Sequence, residues 1–298
     1  PWLNGLIIVG RPRNTWIIDF GPNMSLKEAS LYEAPFQYIQ ENVYPVRQKN
    51  KRKSRRKKWW LHSEVASGLR ESIKNLSRYI ATPRVSKYRL FIWATPNTLP
   101  DDGIYIFARD DDYFFGVLHS RIHELWALKQ GSSLEDRPRY TSTTTFETFP
   151  FPWPPGEEPT PPGPDGPPSP TSGRDGEGLV AAIAEAARRL VAFRQGWLHP
   201  PEDEIGVTIS ESMLKKRTLT NLYNALTIYQ EEIKGKSRSP RLWAAKVDYI
   251  ELDEIETLDH IHTTLDNAVL DAYGWPHNLS DEGILERLLA LNLERANA

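Results

Sequence analysis

Trp153-Pro154-Pro155-Gly156-Glu157-Glu158-Pro159-Thr160-Pro161-Pro162-Gly163-Pro164-Asp165-Gly166-Pro167-Pro168 is the stretch on which the organisation of this chain turns. Proline removes backbone donors, glycine loses the most entropy on ordering, and neither supplies an apolar face, so such a run cannot build a core. The span 153–178 is therefore expected to be a linker that cuts the chain in two. With 298 residues, 39% hydrophobic and 26% charged, there is material for about two packed domains on its two sides.

Working outward, residues 1–152 mix two periodicities and read as an α+β fold. Trp16 to Phe20, closed by Gly21-Pro22, reads as a short strand, and Ser25 with Glu28 three residues on forms a capping box for a helix. Leu90 to Trp93 and Ile104 to Phe107 read as paired strands. Asp110, Asp111 and Asp112 precede a helical stripe, Phe114, Val117, Leu118, Ile122, Leu125 and Trp126, that stops at Gly131, which is read as one helix. Tyr140 to Phe149, rich in Thr and Phe, reads as extended. Residues 179–298 read as a small helical domain. Leu179, Ile183, Ala186, Leu190, Phe193 and Trp197 share one helix face, Leu258 to Ala272 repeats that spacing before Gly274 and Pro276, and Ser280 caps a last helix.

The net charge of −2 hides its distribution. From Val43 to Arg89 there are 15 Lys and Arg against two acids, a local +13, and the rest of the chain carries −15. A polyanion responds to the local value. Within this window Lys51, Arg52, Lys53, Arg55, Arg56, Lys57 and Lys58 form a run followed by Trp59-Trp60, suited to phosphates rather than to base reading. Arg78, Arg84, Ser86, Lys87 and Arg89 interleave with Tyr79 and Tyr88. Farther on, Glu135, Arg137 and Arg139 alternate. On an extended segment all three would project to one side, where Arg can pair with guanine and Glu can accept from a cytosine amino group.

Other chemistry is excluded or weak. There is no cysteine, so disulfides, thiolate zinc sites and cysteine nucleophiles drop out. His119 and His123 are four apart, but the zinc-protease order needs Glu directly after the first His, so they read as helix-surface or core histidines. Glu232-Ile233-Lys234 has a nuclease-like form, yet its nearest Pro-Asp pair, Pro164-Asp165, lies in the linker. Neither a glycine-rich phosphate loop nor an Asn-Pro-Pro or Asp-Pro-Pro motif is present. The chain is expected to carry no catalytic site and no cofactor or metal of its own. Beginning at Pro1, with neither a signal peptide nor a long apolar run, it reads as an internal, cytoplasmic, membrane-free piece.

Several strings carry a resemblance: Arg11-Pro12-Arg13-Asn14-Thr15-Trp16-Ile17-Ile18-Asp19-Phe20-Gly21, Arg78-Tyr79-Ile80-Ala81-Thr82-Pro83-Arg84-Val85-Ser86-Lys87, Phe114-Phe115-Gly116-Val117-Leu118-His119-Ser120-Arg121, Thr143-Thr144-Thr145-Phe146-Glu147-Thr148-Phe149-Pro150, Leu219-Thr220-Asn221-Leu222-Tyr223-Asn224 and Ala272-Tyr273-Gly274-Trp275-Pro276. Together they resemble the C-terminal region of MmeI-like, class I AdoMet-dependent adenine DNA methyltransferases, some of which are fused restriction-modification enzymes. Only the linker and the stretch 230–256, which reads as an insertion, fall outside it. The resemblance implies a target recognition domain over residues 1–152 and a helical domain over 179–298. It also implies DNA contacts around Arg78, Arg84, Lys87 and Arg89, and an upstream methyltransferase domain of the same polypeptide that uses AdoMet.

The leading reading is a sequence-specific duplex DNA recognition module. A single-strand or RNA binder, suggested by Trp59, Trp60, Tyr79 and Tyr88 among bases, and a protein-interaction subunit built on the acidic tail are the alternatives.

Overall fold

The computed structural model describes residues 1–11, 13–63, 66–134, 137–159, 174–207, 209–234 and 243–297. Glu135 and the middle of the expected linker, 160–173, lie outside the described residues. In chain order the elements are β1 (Trp2–Leu3), α1 (Gly5–Val9), α2 (Leu26–Ala29), α3 (Glu33–Asn42), α4 (Tyr44–Gln48), α5 (Lys53–Lys57), α6 (Ser67–Ile73), β2 (Tyr79–Pro83), β3 (Ile92–Ala94), β4 (Leu99–Pro100) and β5 (Ile104–Phe107). They are followed by α7 (Asp112–His119), α8 (Arg121–Gln130), β6 (Ser132–Leu134), β7 (Arg137–Arg139), a π-helical turn (Ser142–Phe146) and α9 (Arg174–Leu198). Then come a 3-10 turn (Glu202–Glu204), α10 (Glu211–Lys216), α11 (Leu219–Ile228), a second π-helical turn (Tyr229–Ile233), α12 (Leu252–Tyr273) and α13 (Asp281–Ala296). An α+β part thus precedes a helical part, as the sequence leads one to expect.

The two apolar runs expected to pair with each other do not. β2 lies between β3 and β5 and is antiparallel to both, with Ile80 opposite Trp93 on one side and Phe107 on the other. Tyr-Ile-Ala-Thr-Pro can take the central place because every residue in it is buried. Tyr79 and Ala81 face Leu3, Ile8 and Ile73, and Ile80 faces the main core. That is the period of two expected of a strand covered on both faces.

Three further expectations are corrected. Trp16 to Phe20 is not a strand. Trp16 is 69% exposed, and Phe20 turns inward, with Ile18 packed beside it, joining Ala29, Ile39, Trp59 and Leu61 in a separate small core under α2 and α3. The single helix expected after Asp112 is broken at Ser120, whose extended backbone (ψ 154°) and hydroxyl start a new helix by accepting from the His123 N–H. The Thr-rich segment winds rather than extends. The Thr145 hydroxyl accepts from Thr141 N–H at 3.1 Å and donates back to its carbonyl, and Thr148 donates to Thr144 O at 2.6 Å. Local side-chain bonds here outcompete the β preference of threonine.

The capping box of Ser25 and Glu28, the Ser280 cap and the left-handed Gly274 (φ 68°) that ends α12 are all present. Helix α9 starts inside the span expected for the linker and buries Ile183, Ala186, Ala187, Leu190 and Trp197 against α7 and α12. The approach to α7 is close enough to require Gly116, since a Cβ there would lie 2.7 Å from Ile183 Cγ2 and 3.2 Å from Ile183 O. The main core continues from Ile80 through Phe151 into Ile183 and on to Leu288, so the two parts pack on each other. Trp153 lies beside Tyr113 with their rings tilted, and Glu158 pairs with Arg109 at 2.8 Å. Arg295 of α13 donates to Phe151 O and Pro152 O, and Asn292 donates to Thr148 O. Within the stretch 230–256, Trp243, Val247 and Ile250 are core residues, and Trp243 Nε1 donates to Ile250 O.

Candidate nucleic-acid interface

β6 and β7 form an antiparallel ribbon with Ser132 opposite Arg139, Ser133 opposite Pro138 and Leu134 opposite Arg137. Directly opposed residues share a face, so Ser132, Leu134, Arg137 and Arg139 project together, and all four are exposed. The outer edge of β7 is fixed to the body. Val85 bridges Arg139, the Ser86 N–H and Arg89 Nη2 both donate to Pro138 O at 3.4 Å, and Tyr140 N–H donates to Arg84 O at 2.8 Å. Arg84 N–H in turn donates to Gly103 O at 2.7 Å. The ribbon is close against the end of α8, where a Cβ on Gly131 would come within 2.5 Å of Ala127 O and 2.9 Å of Arg139 O.

This arrangement walls a cleft of about 760 Å³. Arg84, Lys87, Leu134, Arg137 and Arg139 lie along it, with Asn4, Gly5 and Leu6 of the α1 start and Thr220 of α11 also lining it. The two basic motifs, more than 45 residues apart in sequence at Arg84 and Arg137, therefore meet in one concavity. A second cleft of about 460 Å³, lined by Arg47, His62 and Arg70, shares Asp101 with the first, so the two adjoin at the turn before β5.

The basic run occupies the separate small core's outer side. Lys51, Arg52, Lys53, Lys57 and Lys58 are exposed and Arg55 and Arg56 half-buried. Arg56 ties the run together by donating to Asn50 O at 2.6 Å and Lys51 O at 3.1 Å. Burial first, and the nearby Arg55 charge second, lower the Arg47 pKa. Arg70 is engaged with Asp19 at 2.9 Å.

Some residues expected at the interface are otherwise committed. Arg78 pairs with Asp112 at 2.8 Å, donates to Asp110 O and lies 3.7 Å over the Trp93 ring. Arg89 is only 8% exposed and donates to Thr82 Oγ1, Pro83 O and Pro138 O. Burial pulls its guanidinium down to about 10, with Tyr140 and Glu124 opposing the shift. Ser86 is buried, and its hydroxyl donates to Tyr88 O. Arg78, Ser86 and Arg89 thus hold the frame. Arg84 is half-buried and donates from Nη2 to Asp102 O, while Lys87 is exposed and donates to Asn224 Oδ1 at 2.7 Å. Arg137 and Arg139 point outward, and Glu135 lies outside the described residues.

The two histidines are core groups. His123 Nδ1 meets Leu118 O at 2.8 Å and Nε2 meets Tyr140 Oη at 3.1 Å, which assigns a neutral ring protonated on Nδ1. Burial lowers its pKa to about 3. His119 contacts Arg194 inside the protein and is also pushed down, by burial first and by that cation second. Among the described residues no cluster of metal-ligating side chains occurs.

Sequence reasoning did not find the opposite wall of the cleft, Asn4 to Leu6, nor Asn224, which accepts from both Lys87 and the Tyr88 hydroxyl. The string Leu219 to Asn224 stood out as a motif, but nothing in it says that α11 approaches Lys87.

A ribbon carrying arginines on one face of a basic cleft, on an α+β body backed by helices, is the build of a target recognition domain. Residues 24–153 match the family model described as MmeI, target recognition domain. Among solved structures, the chain is similar to one described as the type IIL restriction-modification enzyme MmeI in complex with DNA, with TM-score 0.64 and 17% identity over all of this chain and 31% of that one. The likeness shows the fold, and the chain spans about a third of that protein's length. No curated protein sequence matched.

Proposed function

We propose that this chain recognises a specific sequence in duplex DNA, with the β6–β7 ribbon entering the major groove and the Lys51 to Lys58 run holding the phosphate backbone. The carrying observation is the convergence of Arg84, Lys87, Arg137 and Arg139 in one cleft, with both ribbon arginines exposed. A two-stranded ribbon fits the major groove, about 12 Å wide, where Arg pairs bidentately with guanine. Glu135 is taken to accept from a cytosine amino group. The second cleft shares Arg47, His62 and Ser63 with a further one lined by Arg55 and Lys58, so one duplex can meet both the reading ribbon and the phosphate-binding run.

The single-strand reading loses most of its platform, because Trp59 and Tyr79 are buried, Trp60 is pinned through Nε1 to Met24 O, and the half-buried Tyr88 is held through its hydroxyl to Asn224 Oδ1. Stacking needs exposed rings. The family supports a larger setting, in which an upstream domain of the same polypeptide transfers a methyl group from AdoMet to adenine and this chain chooses the site. A parent that also cleaves DNA is compatible with it. Among the described residues no helix is long and apolar enough to cross a membrane.

The test is selection of binding sites from a randomised duplex pool with the 298-residue chain, followed by anisotropy titrations. One preferred sequence is expected, losing about 1–3 kcal/mol of discrimination at one guanine in Arg137→Ala and at another in Arg139→Ala. Equal affinity for all duplexes, or preference for single strands, would overturn the proposal.

A further inference from the structure

The reading face of the ribbon carries one residue that hydrogen bonding cannot employ. Leu134, at the end of β6, is 55% exposed and stands directly opposite Arg137. Opposed residues on an antiparallel pair have Cβ atoms about 4.5–5.5 Å apart on one face, so the isobutyl group stands beside the Arg137 side chain. Arg139 and Ser132 form the next pair on the same face, and Ser133 and Pro138 turn the other way. Leu134 belongs to none of the three apolar clusters, yet it lines the same cleft as the two arginines.

An apolar side chain among groups placed to meet base edges has one matching partner in the major groove. That partner is the C5-methyl of thymine, the apolar group that base pairs present there. Successive bases are spaced about 3.4 Å along a strand. Side chains held about 5 Å apart on one ribbon face therefore address the same or the next base pair.

We propose that Leu134 reads a thymine methyl at the base pair beside the guanine contacted by Arg137. This rests on the ribbon-in-groove reading above and adds to it a position and a chemistry. The neighbouring arginine fixes the register, and Leu134 rejects a pair that offers no methyl because its apolar surface then faces water or a polar edge.

The test is a deoxyuridine scan of the selected site, which removes one methyl at a time and leaves base pairing intact. With the wild-type chain, one replacement next to the Arg137-dependent guanine is expected to weaken binding about fourfold, what burying one methylene-sized group is worth. Leu134→Ala should lose that sensitivity while keeping the guanine preference, the salt slope and the melting temperature, and Leu134→Met should retain it. Leu293→Ala, an equally exposed leucine on α13 away from the cleft, should behave as wild type throughout. The inference fails if no uracil replacement alters wild-type binding, if Leu134→Ala keeps the full methyl sensitivity, or if the selected site has no thymine beside that guanine. A chain with guanine dependence but no methyl dependence refutes this inference alone. One with no preferred sequence refutes the ribbon reading itself.

Discussion

Replacing Arg89 with methionine separates a DNA contact from a structural cation. The guanidinium is 8% exposed and serves Thr82 Oγ1 at 3.0 Å, Pro83 O and Pro138 O at 3.4 Å. Methionine fills nearly the same volume, so the cost comes from acceptors left without donors rather than from a cavity. A buried acceptor left unsatisfied costs about 1–3 kcal/mol. Pro138 O keeps the Ser86 N–H, which puts its share at the low end, whereas Pro83 O loses its Arg89 donor. Glu124, whose carboxyl is raised by burial and held down by the Arg89 charge, takes a proton more readily and so limits the penalty. The sum is about 3 kcal/mol, which for a chain of this size lowers the melting temperature by about 6–12 °C. The slope of log affinity against log salt should not change, because no phosphate contact is lost. Discrimination between preferred and altered sites should fall, because Pro138 is the centre of β7. A slope reduced by about 0.9 with unchanged melting would mean that Arg89 contacts a phosphate and would refute this account.

Replacing Lys51, Arg52, Lys53 and Lys57 together with alanine should lower the salt slope by about 0.9 for each phosphate contact removed, leaving base preference and melting unchanged in the same titrations. Gly116→Val should destabilise by at least about 1–3 kcal/mol in urea unfolding, since its side chain would enter the space of Ile183 on α9. His123 has a folded pKa of about 3, lowered mainly by burial, against 6.5 when unfolded. Its stabilisation is therefore present above pH 6.5 and lost as pH falls toward 3, by about 1.4 kcal/mol per pH unit. Asp266, raised by burial to about 7, acts in the opposite sense, its contribution being full below 3.8 and lost as pH rises through 7. The informative comparison is thus wild type against His123→Gln, where Asp266 is common to both and the acid loss should be shallower in the variant.

What was legible in the sequence was whatever a local rule decides. Ser25 with Glu28, Ser280 and Gly274 mark helix ends because the groups that cap a helix are a few residues from the backbone they satisfy. The face of α9 followed from spacing alone, and so did the ribbon's alternation at Arg137 and Arg139. Ser120 was missed because a serine inside an apolar stripe signals a break only through the bond it makes. The order of the sheet was hidden because β2 and its neighbours are defined by partners up to 27 residues away, as with Ile80 and Phe107. Arg78 and Arg89 look the same as Lys87 in a charge count. Only Asp112 and the Pro83 and Pro138 carbonyls, none of them adjacent, decide that the first two are occupied.

The division between frame and face also bears on how much sequence discrimination the cleft can give. On the proposed reading Arg137 and Arg139 would each make one bidentate pair and together supply roughly 2–6 kcal/mol, or about 30-fold to 10⁴-fold. Specific DNA binding is commonly about 10³–10⁷ times tighter than non-specific binding. Two arginines reach only the lower part of that range, and one methyl contact adds about fourfold. On that reading the remainder falls to the cytosine contact proposed for Glu135 and to the other cleft residues, of which Arg84 and Lys87 are the cationic ones. Both donate within the protein, Arg84 to Asp102 O and Lys87 to Asn224 Oδ1. Yet Nε of Arg84 is buried, so it is the Nη groups of its half-buried guanidinium that face the cleft, and Lys87 is exposed with three donors on its ammonium. Each can therefore meet DNA without leaving its present partner. The β2-to-β3 connection then becomes a second reading element, whose register is fixed by the same Arg89 and Ser86 bonds that fix the ribbon.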